Sequence, residues 1–440
     1  MLYNIRDIPR HWYEWVIFAL QQVLAVFVAT VLIAQICGTP ISGALLGAGL
    51  GTLIYQVITR FRSPMFISSC GATVSAVLGA LSLNAAGDNY LMVALGGLVI
   101  LAVYATFALV VKLTGIKTLS KIFPPIIVGA VTIVIGVNLA SFILGYTGGV
   151  TIAGANYVAG DIITNSFTSV PWAGVVVAII TMITTALTSH YGYGFMKNIP
   201  FLFGIAVGYI AAIIFSVCGI KMVDFSAFNS IRWYPDLVFL QWRADDWSWA
   251  NFGRVILYFI PVAICALLEH YSDHKVLSNI IGTDLTEDPG LHLTLLGDGA
   301  ASAVGTVVCG LPNTSYGESI ATTGFSKVAS VWVITAAAGV MVLLSFIGPV
   351  AAFVQSIPST VFGGCAMILY GFIAASGLKT IINNKVDLEN TKNLIIVSVI
   401  LTVGVSGIFF LDAAFSGVAL AMVLGVFLNL ILREPKLKSE

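Results

Sequence analysis

Stretches of about 20 residues almost free of charge return from one end of this chain to the other, and that recurrence restricts its fold more than any other feature. Val16 to Ile36, Leu91 to Val111, Ile199 to Val217 and Leu394 to Leu411 are examples. As a helix, each is long enough to cross roughly 30 Å of hydrocarbon. Charged residues make up 9% of the chain, too few to cover a soluble surface, where roughly 25% is usual. The net charge of zero and the lack of any basic–aromatic alternation exclude a nucleic-acid partner. The first apolar run follows Arg6 and Arg10 as a signal peptide would, but it is too long for a signal core and many runs follow it, so it is read as a retained span. Cys70, Cys218, Cys265, Cys309 and Cys365 lie in or beside apolar runs and none forms a CxxC pair; they read as packing residues, with neither a disulfide framework nor a zinc site.

Hydropathy places thirteen spans, at residues 14–36, 41–59, 63–82, 91–111, 122–143, 168–188, 199–217, 253–273, 291–310, 328–355, 358–377, 393–411 and 414–432. Leu311 to Ser326 (LPNTSYGESIATTGFS) is too polar to be recognised this way. The basic residues decide it. If the segment crosses and the N-terminus is cytoplasmic, sixteen Lys and Arg fall inside: Arg6, Arg10, Arg60, Arg62, Lys112, Lys117, Lys121, Lys197, Lys275, Lys327, Lys379, Lys385, Lys392, Arg433, Lys436 and Lys438. Only four, Lys221, Arg232, Arg243 and Arg254, fall outside, in or beside one long Trp-rich loop. Without that crossing the split becomes nine against eleven. The expectation is an all-α polytopic protein of the cell membrane with fourteen transmembrane segments and both termini cytoplasmic.

A polar, glycine-containing crossing leaves backbone groups unpaired unless protein surrounds it. The third span shares this trait, with Ser68, Ser69 and Gly71 in its first half (PMFISSCGAT). Third and tenth are seven apart, which points to seven-plus-seven inverted repeats with the interrupted segments facing each other. Pro124 and Gly129 in the fifth span and Pro358 and Gly363 in the twelfth echo one another at equal spacing.

Carboxylates at membrane depth cost about 2.5–3.5 kcal/mol each even on lenient scales, so they mark function. Glu269 and Asp273 lie one helical turn apart at the end of the eighth span, Asp298 is inside the ninth, and Glu318 follows Tyr316 and Gly317 in the tenth. A glycine turn opening a half-helix there presents free N–H groups beside an acidic acceptor. Such a site suits a small, neutral, planar molecule bearing both N–H and C=O groups, of which a nucleobase is one. It also suits a metal ion or a proton path, and two acids in a dry site share a proton readily. His270 and His274 have metal-ligand spacing, but Lys275 beside them puts them at the inner boundary, where solvation explains both. Gln21 and Gln22 read equally as interhelical glue or as site residues. No Walker A, GxSxG or HExxH pattern is present, which argues against an enzyme and against direct ATP use.

The stretches EHYSDHKVLSNIIGTDLTEDPGLH (Glu269 to His292), LPNTSYGES (Leu311 to Ser319), FPPIIVGAV (Phe123 to Val131) and LYGFIAASGLKTIINNKVD (Leu369 to Asp387) resemble the nucleobase–ascorbate transporter family, and within it the bacterial uracil permeases. The likeness runs from about Ile8 to Leu432. It implies a core domain from residues 1–115 and 253–355, a gate domain from 116–220 and 356–440 ending in a cytoplasmic tail, and an extracellular loop at 221–252. It further implies that segments three and ten are discontinuous, with short strands leading into half-helices. By position, Glu269 and Glu318 match the carboxylates that grip the base. Gly317 and Gly71 match backbone contacts, and Ala29 and Tyr316 match apolar walls.

The chain departs from the pattern at several points. Gly71 stands where uracil permeases have phenylalanine, and Asp273 where they have histidine, although the wider family commonly has aspartate. Asp298 agrees with that wider family, so proton coupling is expected through Asp273, Asp298 and Glu269. Gln21–Gln22 replace a Gln-His pair, and Ser319 and Ala321 replace an Asn and a Gly. The xanthine and urate branch usually has glutamine at the place of Glu318, so the acid favours a pyrimidine over a purine. Anion exchangers of the same fold would need positive charge at the site, so a sulfate or bicarbonate carrier is not expected. The resemblance thus implies uracil:proton symport by alternating access, without a cofactor. A purine symporter is the alternative, and an intramembrane metal-binding or channel protein the rival from another class. The expected partners are a nucleobase, a proton and the bilayer, with a homodimer as the assembly to test.

Overall fold

Runs without charge fold as helices because, in hydrocarbon, each segment must bond its own backbone N–H and C=O groups. The computed structural model describes residues 1–84, 86–115, 123–146, 172–193, 196, 199–406 and 417–432. Parts of the runs read at 122–143, 168–188, 393–411 and 414–432 lie outside the described residues, as do Lys117, Lys121, Lys197 and the tail with Arg433, Lys436 and Lys438. In chain order the elements are α1 (Trp12–Cys37), α2 (Ile41–Ile58), β1 (Ile67–Ser69), α3 (Val74–Leu81, entered through the 3-10 turn Gly71–Thr73), α4 (Tyr90–Thr114), α5 (Pro125–Tyr146), α6 (Trp172–Tyr191), α7 (Pro200–Val217), α8 (Trp249–Ile281), α9 (Leu291–Cys309), β2 (Asn313–Ser315), α10 (Gly317–Ser326), α11 (Val331–Ser345), α12 (Gly348–Ser356), α13 (Ser359–Asn383), α14 (Thr391–Val405) and α15 (Gly417–Ile431).

Among the described residues, eight helices (α1, α2, α4, α6, α7, α8, α9 and α13) are long and apolar enough to cross a bilayer, or nine if α11 and α12 form one span. Their outward faces are themselves apolar: Ile179, Ile183 and Leu187 on α6 and Ile210 and Ile214 on α7 are exposed. A surface of this kind is stable only against lipid, so the chain is a multi-pass membrane protein.

Close helix pairings fall into two sets. In one, α9 packs on α2 and α4, α11 on α2 and α1, and α8 on α4. In the other, α13 packs on α5 and α6, α6 on α7, and α14 on α5 and α15. Glycines permit the closest approaches: a Cβ on Gly97 of α4 would sit 1.8 Å from Thr306 Oγ1 of α9, and one on Gly377 of α13 would sit 2.5 Å from the Gly129 carbonyl of α5. Helices α5 and α13 also start alike, with the Pro124 and Pro358 carbonyls accepting the first bonds, from Ile127 and Val361.

Two readings from hydropathy need correction. The run at 253–273 was expected to end at Asp273, yet α8 continues for two further turns to Ile281 and stops where Gly282 takes the left-handed conformation, φ 73°. Hydropathy falls there because His274, Lys275 and Ser278 are polar, but one side of the helix, with His274, Leu277 and Ser278, stays buried. The run at 328–355 was expected to be one span, but α11 and α12 meet at a bend of 80°. Pro349 has no N–H to continue the helix, and Gly348 abuts the loop before α8, where a Cβ would lie 2.2 Å from the Arg232 carbonyl.

The loop before α8 is tied to the first set of helices. Asp246 accepts from Asn84 (2.9 Å) and Asn89 bonds its carbonyl (3.2 Å), Arg243 pairs with Asp88 (3.1 Å), and the Asp236 amide donates to Ser42 (3.1 Å).

Candidate functional site

The two polar segments meet. β1 and β2 pair antiparallel, with Ile67 opposite Ser315, Ser68 opposite Thr314 and Ser69 opposite Asn313. Side chains from neighbouring helices complete the bonding that lipid cannot supply. Thr52 of α2 donates to the Ile67 carbonyl (2.8 Å) and accepts from its amide (3.0 Å). Asn313 Nδ2 donates to the carbonyls of Gly47 (2.9 Å) and Ala301 (3.2 Å), and Ser302 donates to the Asn313 carbonyl. Non-helical backbone at membrane depth is stable in just this situation, buried in protein with its polar groups paired.

Each strand leads directly into a half-helix, and the starts of both half-helices line one cavity of about 400 Å³. Gly71 and Ala72 come from the first, and Tyr316, Gly317 and Glu318 from the second. Free N–H groups at a helix start favour acceptors and negative charge. Around Gly317 the space is open, with nothing within 4 Å of where a Cβ would stand. Glu269, Ser272 and Asp273 of α8 form the facing wall, Leu24, Ala25 and Ile33 of α1 another, and Tyr370, Phe372 and Ile373 of α13 with Thr132 and Ile135 of α5 close the far side. The cavity extends past Phe325, Ser189, Ser376 and Thr380, near the ends of α10, α6 and α13, and reaches no residue of the Trp-rich loop. No Lys, Arg or His is among the described residues that line it.

Of the residues singled out from sequence, Glu269, Asp273, Glu318, Gly317, Tyr316 and Gly71 come together here. Asp273 is fixed by Ser315 of β2, whose hydroxyl donates to its Oδ2 at 2.7 Å. Ala29, matched to an apolar wall, is buried one turn from both Ala25 and Ile33 and is not part of the lining. Asp298 is not at the cavity either: it lies fully buried behind β2, where Thr314 donates to its Oδ2 at 2.9 Å. Gln22 acts as glue between α1 and α10, donating to Thr323 (3.2 Å) and accepting from Ser319 (2.9 Å).

The two histidines are not solvated, contrary to the expectation drawn from Lys275. His270 and His274 have no exposed surface, because α8 continues beyond them and turns that face onto α2 and α9. His274 Nε2 meets Tyr55 Oη (2.8 Å) and Ser63 Oγ (3.2 Å), its Nδ1 meets the His270 carbonyl (3.0 Å), and His270 Nδ1 lies 3.1 Å from Asp298 Oδ2. Among the described residues no group of three or more potential metal ligands converges.

Residues that sequence reasoning missed are the aromatic and hydroxyl groups of the far wall, Tyr370, Phe201 and Thr132. They sit in apolar runs that read as packing. For Tyr370 the only signal was its place in the stretch Leu369 to Asp387, one of those carrying the family resemblance.

The sequence model of the Permease family matches residues 13–413. The chain is 35% identical over 424 residues to the uracil permease of Bacillus caldolyticus, covering 95% of this chain and 92% of that one. It is 36% identical over 439 residues to the uracil permease of Bacillus subtilis (strain 168), covering 98% and 95%. Among solved structures it is similar to the transmembrane domain of the cyanobacterial bicarbonate transporter BicA, with a TM-score of 0.66 at 13% identity over 96% of this chain and 98% of that one. At that identity the likeness is one of fold alone.

Proposed function

The chain belongs to the Permease family, and from that premise we propose that it imports a nucleobase, uracil first, together with a proton, by alternating access. One observation carries this reading: Glu269 and Glu318 reach, from two different elements, into one cavity that also receives the starts of two half-helices and is lined by no basic side chain among the described residues. Carboxylates accept the N–H groups of a base, backbone amides at Gly317 and Gly71 donate to its carbonyls, and Tyr316 and Tyr370 supply aromatic surface in the space left by Gly71. Ala29 acts from behind this lining, as packing for Ala25 and Ile33. Asp273, held by Ser315 beside Glu269, takes the coupling proton. The lack of positive charge disfavours an anion, although the fold is shared with a bicarbonate transporter.

The fourteen-segment, seven-plus-seven layout is part of this proposal. Support comes from the antiparallel pairing of β1 with β2, from the matching starts of α5 and α13, and from four shorter apolar helices that, with the polar half-helix α10, fit the five remaining crossings. The two packing sets correspond to a core domain (residues 1–115 and 253–355) and a gate domain (116–220 and 356–440), joined by the loop at 221–252. Both termini are cytoplasmic in this reading. The cavity then opens inward, since it extends toward residues beside Lys327 and Lys379 and away from the Trp-rich loop.

The test is uptake of labelled uracil into proteoliposomes with and without an inward proton gradient. Gradient-stimulated uptake supports the proposal, and no uptake under either condition ends it. A panel of unlabelled pyrimidines and purines in competition then ranks the bases.

A further inference from the structure

The half-helix that carries Glu318 is short. α10 has 10 residues, fewer than the roughly 12–15 below which an isolated helix is marginal even in a helix-favouring sequence. Its place is therefore set by what grips its two ends. Pairing of β2 with β1 fixes the first, and the start of the chain fixes the second. α10 stops at Lys327, which takes the left-handed conformation, φ 58°. The segment beyond it runs beside residues 2–7, with Tyr3 and Val328 in a parallel bridge. The Leu2 amide donates to the Lys327 carbonyl (2.7 Å), and the Ala329 and Val331 amides donate to the carbonyls of Tyr3 and Ile5 (2.9 Å each). Ser330 Oγ donates to the Asp7 carbonyl (2.6 Å).

Side chains lock this strap in place. Tyr3 is buried among Val328 and Val333 with Phe18 against them. Its hydroxyl donates to Glu14 Oε2 (2.8 Å), a carboxylate that also accepts from the Arg10 and His11 amides before α1. Ile5 packs on the cluster that holds Ile320 of α10, Ile67 of β1 and Tyr55 of α2. Asn4, Arg6 and Asp7 are exposed, so Tyr3 and Ile5 supply the apolar grip.

We propose that residues 2–7 are a positioning strap for Glu318: they hold the far end of α10 and so fix the depth at which its first turn presents that carboxylate to the cavity. The proposal rests on the reading of Glu318 as an acceptor for the base. A helix keeps its rise per residue, so slack at Lys327 passes along α10 to Gly317 and Glu318. An acceptor displaced by about 1 Å loses much of its value to a bound molecule. Gln22 still ties Ser319 and Thr323 to α1, which limits the displacement.

The test is a double-mutant cycle read by calorimetric titration of uracil in detergent. Tyr3→Ala is expected to weaken binding roughly fivefold, but less than roughly twofold in a Glu318→Gln background, because the strap acts through that carboxylate. Tyr3→Phe, which keeps the packing, is expected to restore affinity to within roughly twofold of the unmodified protein. Hydrogen exchange shows that the strap has opened in a folded protein: the Ala329 and Val331 amides lose protection in Tyr3→Ala while those of α9 keep it. Ile5→Ala, at a half-buried position, carries the same expectations at roughly threefold and replaces Tyr3→Ala if that variant does not fold. Unchanged uracil affinity once Ala329 and Val331 have lost protection would overturn the proposal. So would an equal loss in both backgrounds, the mark of a merely structural role. If Glu318→Gln alone binds uracil as tightly as the unmodified protein, the reading of Glu318 fails and the proposal with it.

Discussion

The front and back of α8 each carry a pair of ionisable side chains one helical turn apart, two acids in front and two histidines behind, in opposite surroundings. In front, Glu269 and Asp273 are half-buried and look into an open cavity; behind, His270 and His274 are fully buried against α2, α4 and α9. The front acids have acceptor capacity to spare, with one hydrogen-bond partner between them among the described residues, Ser315 on Asp273. Behind, His274 is bonded at both ring nitrogens, to Tyr55 and Ser63 at one and to the His270 carbonyl at the other. Spare capacity facing a cavity is what a ligand needs, whereas satisfied capacity in a sealed pack holds elements together. Substitutions in front should therefore change binding, and those among the bonded groups behind should change stability.

The largest effect is expected at Glu269. Replacing it with glutamine removes a charge-assisted hydrogen bond, roughly 1.5–3 kcal/mol, and should weaken uracil binding between about 10- and 100-fold. Calorimetric titration in detergent measures this, and wild-type affinity would break the assignment of the front face. Glu318→Gln should cost less, nearer the tenfold end, because the half-helix amides around it remain. It should also admit purines as competitors of uracil uptake. Unchanged uptake and unchanged competition would make Glu318 structural.

The front face was legible in the sequence because an acid at membrane depth demands a reason, and the count of basic residues singled out the polar segment around Glu318. Sequence reasoning lost the back face at Lys275. A lysine next to two histidines reads as a boundary, yet Lys275 is exposed on one side of α8 while His274 is buried on the other. Hydropathy averages over both sides of a helix and cannot separate them. Asp298 was recognised as an acid out of place, but its position behind β2 depends on which way a strand residue points, and that needed the register of β2 against β1. The bend between α11 and α12 escaped because Gly348 and Pro349 lie in a continuous apolar run, and the partner that makes them a corner is a loop more than a hundred residues earlier.

The next effect in size is on stability. Tyr55→Phe removes the hydroxyl that meets both His274 and Ser63, at 2.8 Å each. A buried hydrogen bond lost in this way costs roughly 1–3 kcal/mol. The protein should unfold at a lower temperature in detergent, while uracil affinity stays within about twofold of wild type, because Tyr55 does not line the cavity. An affinity loss as large as that of Glu269→Gln would show that the two faces of α8 do not act separately.

The smallest expected effect concerns the wall at Gly71. The family resemblance implies a phenylalanine at the place of Gly71, and here the lining keeps Tyr316 and Tyr370. If those rings supply only part of the stacking surface, Gly71→Phe adds a further aromatic contact. Such contacts contribute roughly 0.5–1.5 kcal/mol, equivalent to between about two- and tenfold tighter uracil binding. The added ring also reduces the room at the start of the first half-helix, so bulkier bases should lose ground to uracil in competition. Weaker uracil binding in a folded variant would mean that the cavity is already filled at that wall, and that the glycine is matched to a larger base.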